Sequence, residues 1–495
     1  MKINKYILLL SATMVVVSCD LDKFPEGSTV TQDQKNEVVE LLPDRISSEL
    51  NGLKTGLYSH TNLLTDYNNH MDYGFPAACM IYETAGQDLL TLNDQTGYNK
   101  FISSQRLLDR NITSTFNAFL WKLYYKHMKT ANGVPLVLET TSDTELMNNP
   151  RASVQQVYSR IMEDLDEAIT LLTGVSARAD KAEISVEVAY GLRARANLLM
   201  GKWAAAASDA AKAYGTSAPY SVADVSQPTF YNATDNAWIW GIVVTTEDYL
   251  AKTGIVNWPS NLCSLTGMGY TTAASATDVA YRLINKNLWA KIPETDVRKG
   301  WWVDEDLHSP VLDNGLGEDY AYYWANGMFN GGTFPSKFSP YTNVKFGPDN
   351  GTFADTDNAQ DWPLMRVEEM KLIEAEALGR DNLATGKQKL EEFVRQYRDP
   401  SYTCTAGSLD AFIDEVWFQR RVELWGEGFA LFDILRLKKP IIRQGANYPI
   451  NSTFAEIAAE APIMIYRIPE AETSVNSAIT EADNNPAAMA PTPVN

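Results

Sequence analysis

The sequence has few of the residues and motifs on which catalysis and metal binding usually depend. Its 495 residues include only four cysteines and four histidines. The histidines show no HExxH spacing, and the chain contains no GxSxG motif, no P-loop and no complete GxGxxG. Cys79, Cys263 and Cys404 are scattered along the chain, which predicts buried free thiols. We find no catalytic constellation and expect neither a metal nor another cofactor.

Positive charge is also scarce. The chain has 42 Lys and Arg against 62 Asp and Glu, a formal net charge of −20. Such a body repels phosphate backbones and anionic lipid, so nucleic acid is excluded as an expected partner. The acidic run at residues 304–306 is not a glycosidase pair, because two catalytic carboxylates must face each other across a cleft. We interpret this run as a solvated acidic loop, with calcium binding as the alternative.

Long hydrophobic runs are missing as well. The apolar stretch Tyr6–Val17 has twelve residues, whereas a membrane-spanning helix needs about 20. With Lys2 and Lys5 before it, the stretch has the pattern of a secretory signal peptide. The junction VVSC at Cys19 resembles the lipobox of bacterial lipoproteins, which implies cleavage before Cys19 and a lipid on its thiol. Membrane contact is then expected through the lipid anchor alone, and a plain signal peptide is the alternative.

Helical periodicity dominates what the sequence does contain. Apolar residues recur every three or four positions from Tyr158 to Leu172. Residues 183–214 predict two helices with a tight turn at Gly201, and residues 364–398 repeat this design with a turn near 381–386. Each pair has about the length of a tetratricopeptide (TPR) unit of roughly 34 residues, without its Trp and Pro marks. The predicted fold is mainly α, with discontinuous TPR-type helical hairpins.

The middle of the chain has a different composition. Residues 216–355 are rich in Gly, Pro, Asn, Asp and aromatics, and residues 237–245 contain the clearest candidate strand. Several aromatics of residues 298–346 flank Gly or Pro, so we expect no regular helix there. Loops on a helical scaffold often carry ligand contacts. The predicted division of the chain is a signal peptide (1–18), a lipidated tether (19–45), an N-terminal helical part (46–215), a loop-rich ligand-binding region (216–355) and a C-terminal helical part (356–495).

The segment FQRRVELWGEGFALFDILRLKKP, residues 418–440, resembles the signature of the SusD/RagB family. The segments at 365–378 and 466–473 are similar to other family segments. Asp433 and Arg436 lie three residues apart and can pair on one helix face. After the second glycine the family usually has Arg or His followed by another basic or aromatic residue, whereas this chain has Phe429 followed by Ala430. We expect a scaffold role for the matching residues: Arg420, Arg421, Glu423, Gly426, Glu427, Gly428, Asp433 and Arg436.

The resemblance implies a nutrient-binding lipoprotein on the outer surface of the outer membrane. Family members pass oligomeric nutrients to a TonB-dependent transporter of the SusC type. The implied ligand is an oligosaccharide, and a peptide is the alternative, as in RagB-type uptake. A surface glycosidase or a ligand-free adaptor are the remaining alternatives.

Aromatic side chains suit sugars, because a sugar's C–H face can cover a ring while its hydroxyls stay hydrogen-bonded. Trp301 and Trp302 are adjacent, so an extended backbone would turn one of them towards solvent. We expect one of this pair and one or two residues of the run 320–324 to form a binding platform. The candidate ligand residues are Tyr73, Asn93, Tyr98, Trp301, Trp302, Tyr320, Tyr322, Tyr323 and Trp324.

Overall fold

The fold was analysed in a computed structural model. It describes residues 56–58, 73–92, 119, 145, 147–175, 178–253, 258–267, 269, 281–328, 336–449 and 454–487. All of them lie in one compact unit, Gly56–Asn495. Cys19, the tether and two ligand candidates, Asn93 and Tyr98, lie outside the described residues.

Helices are the main element of the described chain. In chain order they are α1 (Phe75–Ala85), α2 (Val154–Leu172), α3 (Val186–Leu199), α4 (Trp203–Tyr214), α5 (Val222–Val225), α6 (Tyr249–Thr253), α7 (Trp258–Leu262), α8 (Lys286–Trp289), α9 (Pro310–Leu316), α10 (Glu318–Ala325), α11 (Val367–Asp381), α12 (Leu383–Tyr397), α13 (Leu409–Glu423), α14 (Ala430–Arg436) and α15 (Glu470–Thr473). Short 3-10 helices span Val297–Trp301, Asp349–Gly351, Pro462–Met464 and Glu481–Asp483.

The described strands are short and pair in twos. They are β1 (Leu89–Leu90), β2 (Trp238–Ile242), β3 (Leu283–Ile284), β4 (Trp362–Arg366), β5 (Ile441–Ile442) and β6 (Glu456–Ile457). Strand β1 pairs antiparallel with β3, β2 with β4, and β5 with β6. Strand β2 lies within the predicted segment 237–245, so that prediction and the minor share of β structure are confirmed.

Both predicted helical hairpins form. Gly201 connects α3 to α4 with φ 71°, a left-handed conformation that glycine adopts readily. The turn between α11 and α12 is the single residue Asn382, so the predicted turn over 381–386 is wrong in extent. Gly386 lies inside α12, where a Cβ atom would come within 2.3 Å of the Gly379 Cα on α11. This glycine therefore serves close helix packing.

The larger helices pack in chain order, but this succession leaves out α5 to α10. Helix α2 packs on α3, α3 on α4, α4 on α11, and α11 on both α12 and α13. The two hairpins are thus neighbours although more than 150 residues separate them in sequence. The predicted mainly α fold with discontinuous helical hairpins is confirmed.

The middle region contains more helix than its composition predicts. Helices α5 to α10 lie within residues 216–355, and α10 includes the four aromatics of the run 320–324, which we expected to be irregular. Ser309 accepts a hydrogen bond from the Leu312 N–H at 3.1 Å and caps α9, which Gly317 then ends with φ 82°. The expectation of no helix was wrong because helices of seven and eight residues, bounded by glycine, show no complete apolar period.

The three predicted buried thiols are confirmed. Cys79, Cys263 and Cys404 are free and buried. None of the helices in the described ranges is long and apolar enough to cross a membrane.

Candidate ligand-binding site

Glu423 is the last residue of α13 and belongs to the signature segment. Its carboxylate contacts three arginines. Glu423 Oε2 lies 2.8 Å from Arg398 Nε and 3.3 Å from Arg298 Nη1, and Oε1 lies 3.4 Å from Arg366 Nη1. All four side chains are buried. Burial alone would raise the pKa of Glu423, but Arg398, then Arg366 and Arg298, lower that pKa below its ordinary value. Glu423 is therefore charged and bound within the protein.

A second buried carboxylate continues this cluster. Glu427 accepts hydrogen bonds from Arg366 Nε at 2.9 Å and from Lys345 Nζ at 2.7 Å. Burial alone would raise the pKa of Glu427, and the charges of Arg366 and Lys345 lower it overall. We call Arg298, Lys345, Arg366, Arg398, Asp296, Glu368, Glu423 and Glu427 the buried ion cluster.

Two glycines turn the chain between α13 and α14. Gly426 has φ 84° and Gly428 has φ 93°, both in the left-handed region. The turn directs the N–H groups of Gly428 and Phe429 at Glu83 Oε1, at 2.7 Å and 2.8 Å. A carboxylate of α1 thereby satisfies backbone donors at the start of α14.

The remaining charged signature residues are also paired. Asp433 accepts from Arg420 Nε at 2.7 Å and from Arg436 Nε at 2.6 Å, which confirms the pairing of Asp433 with Arg436. Arg421 Nη2 lies 2.5 Å from Oδ1 of Asp88, the residue before β1. Such buried pairing within the protein is the arrangement that a scaffold role requires.

Sequence reasoning missed the cations of the buried ion cluster. Arg298 is 125 residues from Glu423, so no local spacing reveals their contact. Arg366 lies in a segment that the resemblance singled out, but its sequence position does not show that it is buried. A buried and a solvated arginine look alike in sequence.

The tryptophans proposed as a platform lie inside the protein. Trp301 and Trp302 have 0% and 1% of their surface exposed, and Trp324 has 0%. The expectation that one of the adjacent pair faces solvent is wrong. Trp301 ends a 3-10 helix and Trp302 begins an extended stretch opposite Asn343, so the alternation of a strand does not apply. The indole N–H groups of Trp301 and Trp324 donate to backbone carbonyls, both at 3.0 Å.

The early candidate Tyr73 is buried too. Its side chain is 0% exposed, and its hydroxyl accepts a hydrogen bond from Asn261 Nδ2 at 3.2 Å. These four aromatics therefore offer no face to a ligand in this structure. Asn93 and Tyr98 stay untested predictions.

Three of the candidate aromatics are exposed, and all three lie on α10. Tyr320 and Tyr322 are each 57% exposed, and Tyr323 is 47% exposed. The helix buries Ala321, Trp324 and Ala325 on its other side. The rings of Tyr322 and Tyr323 meet edge to face, with centroids 6.0 Å apart. The structure thus brings three tyrosines together around the solvent-facing half of one helix, which we call the tyrosine helix.

Acidic residues accompany the tyrosine helix. Glu318 and Asp319 are exposed in its first turn. In the preceding acidic loop, Asp304 Oδ1 accepts from the N–H groups of Asp306 and His308, each at 2.9 Å. The described ranges contain no group of three or more His, Cys, Asp or Glu residues that could hold a metal ion. Negative charge in this part of the chain disfavours an anionic ligand and is compatible with a neutral one.

Comparison with known proteins gives one family match and many structural matches. Residues 277–486 match the sequence profile of the SusD family. A search of curated proteins found no match. The fold is similar to that of a SusD-like carbohydrate binding protein from Bacteroides vulgatus, with 19% identity, a TM-score of 0.65, and coverage of 89% of this chain and 98% of that one.

Two further structures have the same fold. A SusD superfamily protein from Bacteroides fragilis matches at 19% identity and a TM-score of 0.61, covering 89% of this chain and 99% of that one. A laminarin binding SusD-like protein matches at 17% identity and a TM-score of 0.53, with the same coverages. The resemblance stated from the signature is confirmed: the chain has the SusD-like fold, and its residues 277–486 are a SusD-family region.

Proposed function

We propose that this protein captures oligosaccharides at the cell surface and delivers them to a SusC-like TonB-dependent transporter. The observation that carries the proposal is the exposure of Tyr320, Tyr322 and Tyr323 on one helix inside the SusD-family region. Three rings around one helix can cover the apolar faces of successive sugar units, because the C–H face of a sugar packs on an aromatic ring. The similar structures of a carbohydrate binding protein and a laminarin binding protein support this ligand class.

The acidic setting of the tyrosine helix supports a neutral glycan. Glu318 and Asp319 add two exposed carboxylates beside the tyrosines. They can accept hydrogen bonds from sugar hydroxyls, and they repel sulfated or uronic-acid-rich polymers. The protein acts in this proposal as a binder without catalysis of its own.

Calorimetric titration with neutral oligosaccharides, including fragments of laminarin, tests the ligand. Replacing each tyrosine of the helix by Ala should weaken binding roughly two- to tenfold, and the triple replacement should abolish it. Tyr249→Ala is the matched control, because Tyr249 is 59% exposed on the separate helix α6. Equal glycan affinity in the folded triple variant would refute the proposed site, and binding of peptides alone would establish the peptide alternative. Release of shorter sugars would establish a glycosidase.

The anchor and the partner have separate tests. In the proposal, Cys19 carries the lipid that holds the protein on the outer membrane. Cys19→Ala should leave the protein unprocessed or release it from the membrane, as followed by fractionation and surface protease accessibility. Purification from solubilised outer membrane should recover a TonB-dependent transporter with the native protein. Unchanged surface anchoring of the variant would contradict the proposed lipid anchor. Repeated recovery of the native protein without any transporter would contradict the proposed partner.

A further inference from the structure

A cavity of about 250 Å³ lies where α1, the end of α3 and the start of α14 meet. Its walls are mostly apolar and include Phe75, Leu198, Phe429 and Phe432. Two lining side chains, Leu199 and Phe432, are 48% and 42% exposed, so solvent reaches the cavity on their side. The volume is just below the usual range for small-molecule sites and fits a compound with one ring or one branched chain.

One arginine is held in this cavity with a free donor. Arg195 Nε and Nη2 bind the two carboxylate oxygens of Glu369 at 2.7 Å and 2.6 Å, and Nη2 also donates to the Leu364 carbonyl at 2.6 Å. Arg195 Nη1 has no acceptor among the described residues, and its side chain is 26% exposed. The guanidinium is therefore fixed in place while one of its nitrogens stays available.

A second arginine of the lining is also incompletely paired. Arg420 is 4% exposed and donates from Nε to Asp433, but its Nη1 is buried without an acceptor in the described part of the chain. The Phe429 ring lies beside both guanidiniums, 5.3 Å from that of Arg195 and 5.7 Å from that of Arg420. Donors left without an acceptor are costly when buried, so an acceptor from outside would be favourable here.

The carboxylates of the lining, in contrast, are all occupied. Both oxygens of Glu369 bind Arg195, and those of Asp433 bind Arg420 and Arg436. Those of Glu427 accept from Arg366 and Lys345. Each carboxylate oxygen of the lining thus already accepts from a cation, whereas the guanidiniums keep N–H donors without an acceptor. This lining therefore favours a ligand with a strong acceptor, such as a carboxylate.

We propose that this cavity binds a small carboxylate with an aromatic or branched apolar body. Its carboxylate accepts from Arg195 Nη1, and its body packs on Phe429 and Phe432. The site is separate from the tyrosine helix, since the cavity is lined by none of its residues. A carboxylate site in this cavity therefore does not depend on whether the tyrosine helix binds a glycan.

Titration of the detergent-purified full chain with phenylacetate tests this inference, with 2-phenylethanol as the probe that lacks the carboxylate. Phenylacetate should bind roughly tenfold or more tightly than the alcohol. Arg195→Lys keeps a charge for Glu369 but removes the free nitrogen, and should weaken phenylacetate binding by a similar factor. Leu199→Trp adds bulk at the exposed side and should block binding without disturbing any buried charge.

Leu171→Trp is the matched control, because Leu171 is 68% exposed on α2 and does not line the cavity. It should bind phenylacetate as the unaltered chain does, and glycan binding should be unchanged in all three variants. Failure of phenylacetate to bind, equal affinity for the alcohol, or undiminished binding in Leu199→Trp would each overturn the inference. The Leu199→Trp result keeps the test decisive if Arg195→Lys fails to fold.

Discussion

The buried ion cluster and the tyrosine helix place their polar side chains in opposite environments. In the cluster, Glu423 and its arginines are removed from water and bound to each other. On the tyrosine helix, three rings and two carboxylates are exposed to solvent. In the cluster, each residue makes several contacts at once, which restricts the residues that can replace it. On the tyrosine helix, the residues that are suitable depend on the ligand. The recognisable sequence signature contributes Glu423 and Glu427 to the cluster, whereas the proposed ligand contacts lie outside the signature.

Acid should disrupt the first region and spare the second, and this is the largest effect we expect. In Glu423 and Glu427 of the cluster, and in the paired carboxylates Asp433 and Glu376 outside it, burial raises the pKa but arginine or lysine charges lower it further, so the net shift is downward. A carboxylate with a lowered folded-state pKa contributes stability above its unfolded pKa, and loses it as the pH falls through the folded value. Burial raises the pKa of Glu83 to about 7, that of Asp361 to about 6 and also that of Glu368, so urea midpoints should first rise as the pH falls from about 8 towards about 5, and then fall progressively below about pH 4.5. A midpoint that stays level from pH 5 to pH 3 would contradict this.

Breaking one member of the cluster should have the next largest effect. Glu423→Gln leaves Arg298, Arg366 and Arg398 without the charge they share, and should lower the free energy of unfolding by about 3–5 kcal/mol. Urea denaturation at neutral pH measures the change. The control is Glu247→Gln, which removes an exposed partner of Lys252 and should leave the urea midpoint unchanged. Similar midpoints for both variants would show that the cluster does not stabilise the fold.

The smallest expected effect distinguishes the ring from the hydroxyl as the ligand contact on the tyrosine helix. Tyr323→Phe keeps the exposed ring and removes only the hydroxyl. Stability should be unchanged because Tyr323 is 47% exposed, and glycan affinity should fall by a smaller factor than in Tyr323→Ala because the ring is kept. Denaturation and calorimetry on the same sample separate the two effects. A loss as large as that of Tyr323→Ala would show that the hydroxyl, rather than the ring, provides the contact.

The sequence predicted regular elements well and solvent exposure poorly. Helix α2 and both hairpins follow from apolar periodicity, which is a local property. The burial of Trp301 and Trp324 depends on which distant segments cover them, such as the carbonyls of Val225 and Ser264 that their indoles reach. The sequence of a polar, glycine-rich segment does not show whether distant segments bury its aromatic residues.

The candidate site was predicted only in part for the same reason. Tyr320, Tyr322 and Tyr323 were among the candidates, but their grouping on one helix was not foreseen because α10 has only eight residues. The cavity beside Arg195 was missed entirely. Its lining comes from α1, α3, β4, α11, α13 and α14, and no single segment shows a pattern that marks it.

The capping of α14 by Glu83 has a consequence for the time course of folding. That contact spans about 345 residues, and Arg443 donates to the Thr84 and Gly86 carbonyls across a similar separation. Helix α1 therefore cannot complete its contacts until the chain has been made past residue 443. Contacts so distant in sequence slow folding, because the intervening chain must be ordered before they are gained. The junction of α1 with α14 should be among the last parts of the protein to become protected from amide exchange after synthesis.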